Sequence, residues 1–408
     1  MRGLMRSFSR RGNQQERGAA ATLLAVLLAG GGGVVMGMLA ISIDIGNIMY
    51  ERRQVQNAAD ATSLALAAEC AKAATNCDPD RVDDLLGANS HDALGQYGKT
   101  KYTDGACASG TAEQVGTVLG DCTIDGDMTD LSKCPPLPSK FSTGIPYVET
   151  YGATKSASGD KLFLPFSKML VTGEADDVSV SACARAAWGP PGSTGATLPI
   201  TIGQCDWANK TAVGGVAGEK YAPSPPYTPE GNGGLPPAVP AEIAAGGYAT
   251  GIFTHDSGDH KCTGSPGHHY PGGFAWLANS DCVATIDVGG WVDGAPGKSD
   301  TCSASELKKY IGTEVFIPIH VAADGTGKGG KYQISGVASF YFAGWHGMSG
   351  AAPTKTYEIY QEPSAVCTDK CNDSVSYIWG WFTSGQLPVG SIDPDADDFG
   401  VNIIKPAG

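Results

Sequence analysis

One Gly-rich segment gathers His255, Asp256, Asp259, His260, Cys262, His268 and His269. Imidazole and thiolate are ordinary zinc ligands, so these residue types raise a metal centre. Their spacing follows no zinc signature, and a cysteine in an even-numbered set has disulfide partners, so the segment reads as a polar loop pinned by a disulfide. Two acidic groups, Asp125, Asp127, Asp130 and Asp393, Asp395, Asp397, Asp398, offer oxygens of the kind calcium takes. Neither follows the 12-residue order of a calcium loop or closes on a Glu, and solvated acidic turns account for both. No Gly-x-Ser-x-Gly turn places a nucleophile for an acyl-transfer triad. Gly30 to Gly33 lies inside an apolar stretch without the Lys of a phosphate loop. The expectation is a protein that is not an enzyme and uses no cofactor or metal.

Aromatic residues form the remaining chemical pattern. Tyr341, Phe342 and Trp345, then Tyr377, Trp379, Trp381 and Phe382, recur at strand spacing. Such rows are either the core face of a sheet or a platform for a ligand, and the second option keeps open a tethered surface module that binds glycan or cell-wall polymer. The formal net charge of −14 argues against a nucleic-acid partner, because an acidic exterior repels phosphate backbones.

The element that must position everything else is Ala19 to Ile43, 25 residues without a charge. A bilayer core of roughly 30 Å needs about 20 apolar residues at the helical rise, so this stretch is expected to cross a membrane once. Arg2, Arg6, Arg10, Arg11 and Arg17 precede it with only Glu16 opposing, which puts the N-terminus on the cytoplasmic side and the bulk of the chain outside. A cleaved signal peptide is the alternative, but its apolar region is usually about 7–15 residues with a small-residue cleavage site; a retained anchor is expected. The four glycines kink the span, let another helix come close, or are simply tolerated facing lipid. From Asp44 to Ala74 the composition stays helical and rich in Ala, the best helix former. Ala58, Ala61, Ala65 and Ala68 follow 3-4-3 spacing and set small side chains on one face, a seam for the chain's own outer part or for a partner helix. A second helix, about Asp80 to Leu94, is expected to fold back.

All 12 cysteines, at 70, 77, 107, 122, 134, 183, 205, 262, 282, 302, 367 and 371, follow the span. An even set confined to the exported side implies disulfides in an oxidising compartment. Cys70 with Cys77, Cys107 with Cys122 or Cys134, and Cys367 with Cys371 are the local pairings to expect. From about Thr100 Gly and Pro rise, and short β-favouring runs begin near residues 162, 178, 198, 284, 314, 332, 377 and 399. Val178, Val180 and Ala182 alternate with Ser179 and Ser181 as in a half-buried strand. The expected class is α+β: a basic tail over 1–18, a membrane helix over 19–43, a stalk and return helix over 44–98, then β-rich exterior segments 99–189 and 190–408. GPPGSTGAT, residues 189–197, reads as the join between the last two, and 214–247 as a Pro/Gly-rich loop.

ERGAAATLLAVLL followed by LAISIDIGNIMYERRQVQNAADATSLALA resembles the N-terminal segment of the TadE/TadG-like Flp pilus-assembly family. The resemblance rests on Arg17, Gly18 and Ala19 at the entry, Asp44 and Gly46 at the exit, and Gln56, Asn57, Ala58, Ala59, Asp60 and Leu64 behind it. ACARAAWGPP, LPITIGQCDW and PGGFAWL resemble exported segments of actinobacterial members. The resemblance implies a membrane-anchored accessory protein of a type IVb pilus or related secretion apparatus, with other proteins of that apparatus as partners. Prepilins of this kind carry Glu five residues after the processing Gly; here Gly18 is followed by Ala19, Ala20, Ala21, Thr22 and Leu23. That implies a retained anchor and not a filament subunit.

Overall fold

The computed structural model describes residues 12–78, 80–89, 105–122, 134, 137–141, 144–153, 164, 180–196, 198–223, 237–254, 262, 275–295, 302, 304–325, 330–347, 357–367, 376–387 and 390–407, with side chains on the first helix from residue 37. Helix α1, Gly12–Lys72, is one uninterrupted helix of 61 residues, about 90 Å long at 1.5 Å per residue. It passes without a break through residues 43 and 44, where the apolar stretch gives way to the polar one. Lys72 stands in its last turn, where a cation complements the exposed carbonyls. The Cys70–Cys77 disulfide closes that end, and α2 (Asp80–Asn89) returns against α1. Arg81 of α2 pairs with Glu69 of α1 at 3.3 Å, and Val82 is fully buried with Leu66 and Ala67.

Downstream the chain runs β1 (Ala106–Ser109), α3 (Ala112–Val115), β2 (Tyr147–Ala153), β3 (Ser181–Gly189), β4 (Pro191–Ala196), β5 (Ile202–Gly203) and α4 (Gln204–Lys210). It continues through α5 (Ala241–Gly246), β6 (Thr250–Phe253), β7 (Ala284–Asp287), β8 (Trp291–Asp293), α6 (Ala304–Leu307), β9 (Glu314–Asp324) and β10 (Lys331–His346). Last come β11 (Tyr357–Glu358), β12 (Tyr377–Thr383), β13 (Gly385–Leu387), β14 (Ser391–Ile392) and β15 (Val401–Pro406). The class is mixed α+β with a β-rich region after α1 and α2.

Three sheets organise these strands. The first has order β1-β2-β3-β15-β13 and carries α1 on one face. Its last two strands come from the C-terminal end of the chain, so the segments divided at residue 190 share one hydrogen-bonded ladder, with Ile403 opposite Gly189. Of the stretch expected as a join at 189–197, Gly189 ends β3 and residues 191–196 form strand β4, flanked by β14 and β7, while Thr197 lies outside the described residues. Pro191 is tolerated there because it is the first residue of the strand. Where the expected alternation is described it holds, with Val180 and Ala182 buried and Ser181 half-buried; beyond it, β3 is buried on both faces as far as Trp188.

The second sheet runs β5-β9-β10-β12-β6, with β8 and β11 also paired to β10. Its centre is covered on both sides. Phe340, Phe342, Trp345, Ile378 and Phe382 enter one apolar cluster, while Tyr341, Tyr377, Trp379 and Trp381 enter another. Tyr341 stacks on Trp381 with ring centroids 4.6 Å apart and 14° between planes. Gly380, between the two tryptophans, is required: a side chain there would overlap the Tyr341 carbonyl. These aromatics are core, and Trp379 and Trp381 at 0% exposure form no ligand platform.

Candidate assembly interface on the first helix

The C-terminal part of α1 is fastened to the first sheet by small side chains and by hydrogen bonds to helix carbonyls. Val55, Ala58, Ala59, Leu66, Ala67 and Cys70 are buried, with Thr62 and Ser63 among them. Because Ala59 is so short, β2 comes near enough for the Thr150 hydroxyl to donate to the Ala59 carbonyl at 3.0 Å. Gln56 Nε2 donates to the Cys183 carbonyl of β3 at 3.1 Å and to Asp60 Oδ1 at 2.9 Å. From the C-terminal strands, Gln386 Nε2 donates to the Ala68 carbonyl at 2.9 Å and Asn402 Nδ2 to the Ala71 carbonyl at 3.2 Å. Ala71 lies among the last four carbonyls of the helix, which have no partner within it.

The Ala58, Ala61, Ala65, Ala68 seam is therefore the flank of the docked face and not its centre. Ala58 is buried, whereas Ala61, Ala65 and Ala68 are half-buried. Gln56 and the Ala59 carbonyl both bond to the sheet, and Asn57 and Asp60 are exposed. Arg17 and Gly18 lie in the helix, their side chains outside the described residues; Arg2, Arg6, Arg10 and Arg11 lie outside them altogether.

Before Tyr50 the helix presents apolar side chains outward. Met38, Leu39, Ile41, Ile43, Ile45, Met49 and Tyr50 are all between 47% and 65% exposed, while Asp44 among them is buried at 5%. A side chain at Gly37 or Gly46 would meet nothing. A helix apolar around most of its circumference needs a cover of protein or lipid. Among the described residues no helix is long and apolar enough to cross a membrane; most of Ala19 to Ile43 has side chains outside that set.

Beneath α1, β2 and β3 hold a buried ion pair. Arg185 Nε donates to Glu149 Oε2, with the two side chains 2% and 1% exposed. The Arg185 guanidinium also lies 6.0 Å from the centre of the Tyr147 ring. Glu149 stands beside the Cys107–Cys122 and Cys134–Cys183 disulfides. Those sulfurs are bonded to each other, so neither group supplies the thiolates a metal centre requires. Further disulfides join Cys205 to Cys262 and Cys282 to Cys302, and Cys367 is bonded as well, whereas Cys371 lies outside the described residues.

The other candidate clusters divide in the same way. His255, Asp256, Asp259, His260, His268 and His269, and Asp125, Asp127 and Asp130, lie outside the described residues. Cys262 is committed to its disulfide. Asp393 accepts the Asp395 N–H at 3.0 Å and Asp398 the Gly400 N–H at 2.8 Å, so both cap their own turns. Asp177, Ser179 and Ser181 have the spacing of an Asp-x-Ser-x-Ser cation motif that the sequence reading passed over. Ser181 opens β3 opposite Ala153, in an antiparallel ladder, and the other two lie outside the described residues.

One acid–base group was not expected. Tyr377 of β12 donates to Glu362 Oε1 at 2.6 Å, and the His346 ring stacks on Tyr377 at 5.2 Å. Burial raises Glu362, while the Tyr377 hydrogen bond and nearby His346 draw it down. Burial, then the charge of Glu362, raises Glu358. The Tyr377 phenol is held well above its ordinary range by burial, the Glu362 hydrogen bond and the charges of Glu362 and Glu358. The phenol keeps its proton and donates it in that hydrogen bond, and the group's sequence signal, Glu358 and Glu362 four residues apart ahead of an aromatic strand, is faint.

No curated protein and no solved structure matches the chain. Residues 18–69, the part of α1 that spans the exposed apolar flank and most of the docked face, match the TadE/G-like Flp pilus-assembly family model, and the chain thus carries a TadE/G-like N-terminal segment.

Proposed function

We propose that the chain is a membrane-anchored, TadG-like accessory protein of Flp (type IVb) pilus assembly or a related secretion apparatus, structural and not catalytic. The observation that carries this is the family match over residues 18–69 on a helix docked at its C-terminal part and apolar outside before Tyr50. In this account residues 1–18 stay in the cytoplasm, 19–43 cross the cell membrane once, and the disulfide-linked β-rich part lies outside. The helix joins the membrane platform of the apparatus to the exterior. A rigid helix carrying its own sheet transmits position across the membrane without chemistry, and uncharged residues 19–43 suit a seat among lipid and other membrane helices. The test is the pilus count of a strain lacking the chain: loss of piliation is expected, and a normal count contradicts the proposal.

A further inference from the structure

Of the seven tryptophans, Trp188, Trp207, Trp276, Trp345, Trp379 and Trp381 are each 6% exposed or less, whereas Trp291 is 49% exposed. Trp291 lies in an open groove of about 450 Å³ where polar Asn279, Ser280, Thr285, Asp287 and Asp293 alternate with apolar Val283 and Val292. Strand alternation builds this surface. In β7, Ala284 and Ile286 enter the core while Thr285 and Asp287 face out, and in β8 Trp291 and Asp293 are exposed.

The groove is also held firmly. The Gly289 N–H donates to the Ile334 carbonyl at 2.7 Å, the Ile334 N–H donates to the Gly290 carbonyl at 3.0 Å, and Trp291 is paired with Gln333 of β10. At its other end the turn 280–283 places Asp281 (φ 52°) and Cys282 (φ 64°) in the left-handed region, the two non-glycine residues among those described to do so. That double left-handed turn suits a tight hairpin, and the Cys282–Cys302 disulfide anchors it. An indole fixed in this way loses little freedom on meeting a ligand.

A flat apolar ring beside carboxylates, hydroxyls and an amide matches the two kinds of surface on a pyranose. The C–H face of the sugar packs on the indole, and its ring hydroxyls find carboxylate acceptors together with Ser, Thr and Asn groups that both donate and accept. Asp287 and Asp293 disfavour an anionic sugar. Lys331 pairs with Asp293 at 3.4 Å. A standard protein interface takes about 20–30 residues on each side, whereas this groove is lined by ten. We propose that this groove binds a neutral or amino-bearing pyranose unit of a surface polysaccharide, with Trp291 as the stacking platform and Asp287 and Asp293 as hydroxyl acceptors. This goes beyond the assembly role and stands independently of it.

Because Trp291 is the exposed indole, acrylamide quenching of tryptophan fluorescence reads the groove directly. The full chain in sugar-free detergent is titrated with chitotriose, cellotriose and trigalacturonate, and variants are compared by calorimetric titration. One of the neutral trisaccharides is expected to lower the quenching constant at least twofold, with trigalacturonate inert. Asp287→Asn is expected to weaken binding about tenfold and Trp291→Ala to abolish it, both at unchanged Tm. Absence of shielding by either neutral sugar overturns the proposal, as does wild-type affinity in both variants. Shielding by an added pilin-derived peptide, with no saccharide effect, also overturns it, in favour of protein docking.

Discussion

Glu149 and Arg185 set the strictest condition on the chain at the level of single residues. Removing one member of a buried pair leaves the other charge without its compensation and costs about 3–5 kcal/mol. Glu149→Gln should therefore lower the urea unfolding free energy by about that much, and Glu149→Gln with Arg185→Met should recover most of it; equal losses in both variants contradict the pairing. Glu358 and Glu362 give a second test. Both hold their protons to higher pH in the folded chain than their ordinary value of 4.5. The folded state then binds more protons than the unfolded one, so their stabilising contribution is full below that value and is lost as pH rises through the raised folded values. Glu358→Gln removes a charge that burial and Glu362 both oppose. Its Tm should exceed wild type at pH 7, with the difference vanishing near pH 4; a constant difference would show that the charge is immaterial. Neither pair was legible in the sequence. Arg185 is a lone charge within ACARAAW, a hint of a buried partner, but Glu149 is 36 residues away and only the β2–β3 ladder brings it opposite.

Helix α1 and the first sheet define the element scale. Alanine content announced the helix, and Val82, Leu85 and Leu86 among acids announced the return helix, because both signals are local. The 3-4-3 alanine spacing marked the flank of the docked face, since spacing records residue type while Thr62 and Ser63 lie buried under polar names. Strands β9, β10, β12 and β15 fall on expected apolar runs. Residues 191–196 of the expected join form β4 because pairing with β7 and β14, nearly 100 and 200 residues later, outweighs local Gly and Pro. Ala59→Leu should cost about 1–3 kcal/mol by forcing helix and sheet apart, whereas Ala61→Leu and Ala65→Leu should cost clearly less. Urea midpoints rank the three; a larger loss at Ala61 or Ala65 would move the docked face around the helix.

Across the whole molecule, the chain folds back on itself: β13 and β15 complete a sheet begun by residues 106–189, and Gln386 and Asn402 grip the end of α1. The exterior thus holds the helix at a fixed angle and register, which a structural coupling between membrane and surface requires. Composition disclosed the β-rich part that follows α1, but closure by the C-terminus depends on contacts more than 200 residues apart and left no local trace. The groove at Trp291 was equally hidden, because one exposed tryptophan and six buried ones look alike in sequence. The central claim is that α1, docked by its own sheet, serves pilus assembly. The most direct measurement is the pilus count, by electron microscopy, of a strain lacking the chain, complemented with wild type or with Ile41, Ile45 and Met49 changed to Asn. Loss of pili, restoration by wild type and failure of the triple variant at normal protein level are expected; a normal count without the chain contradicts the account.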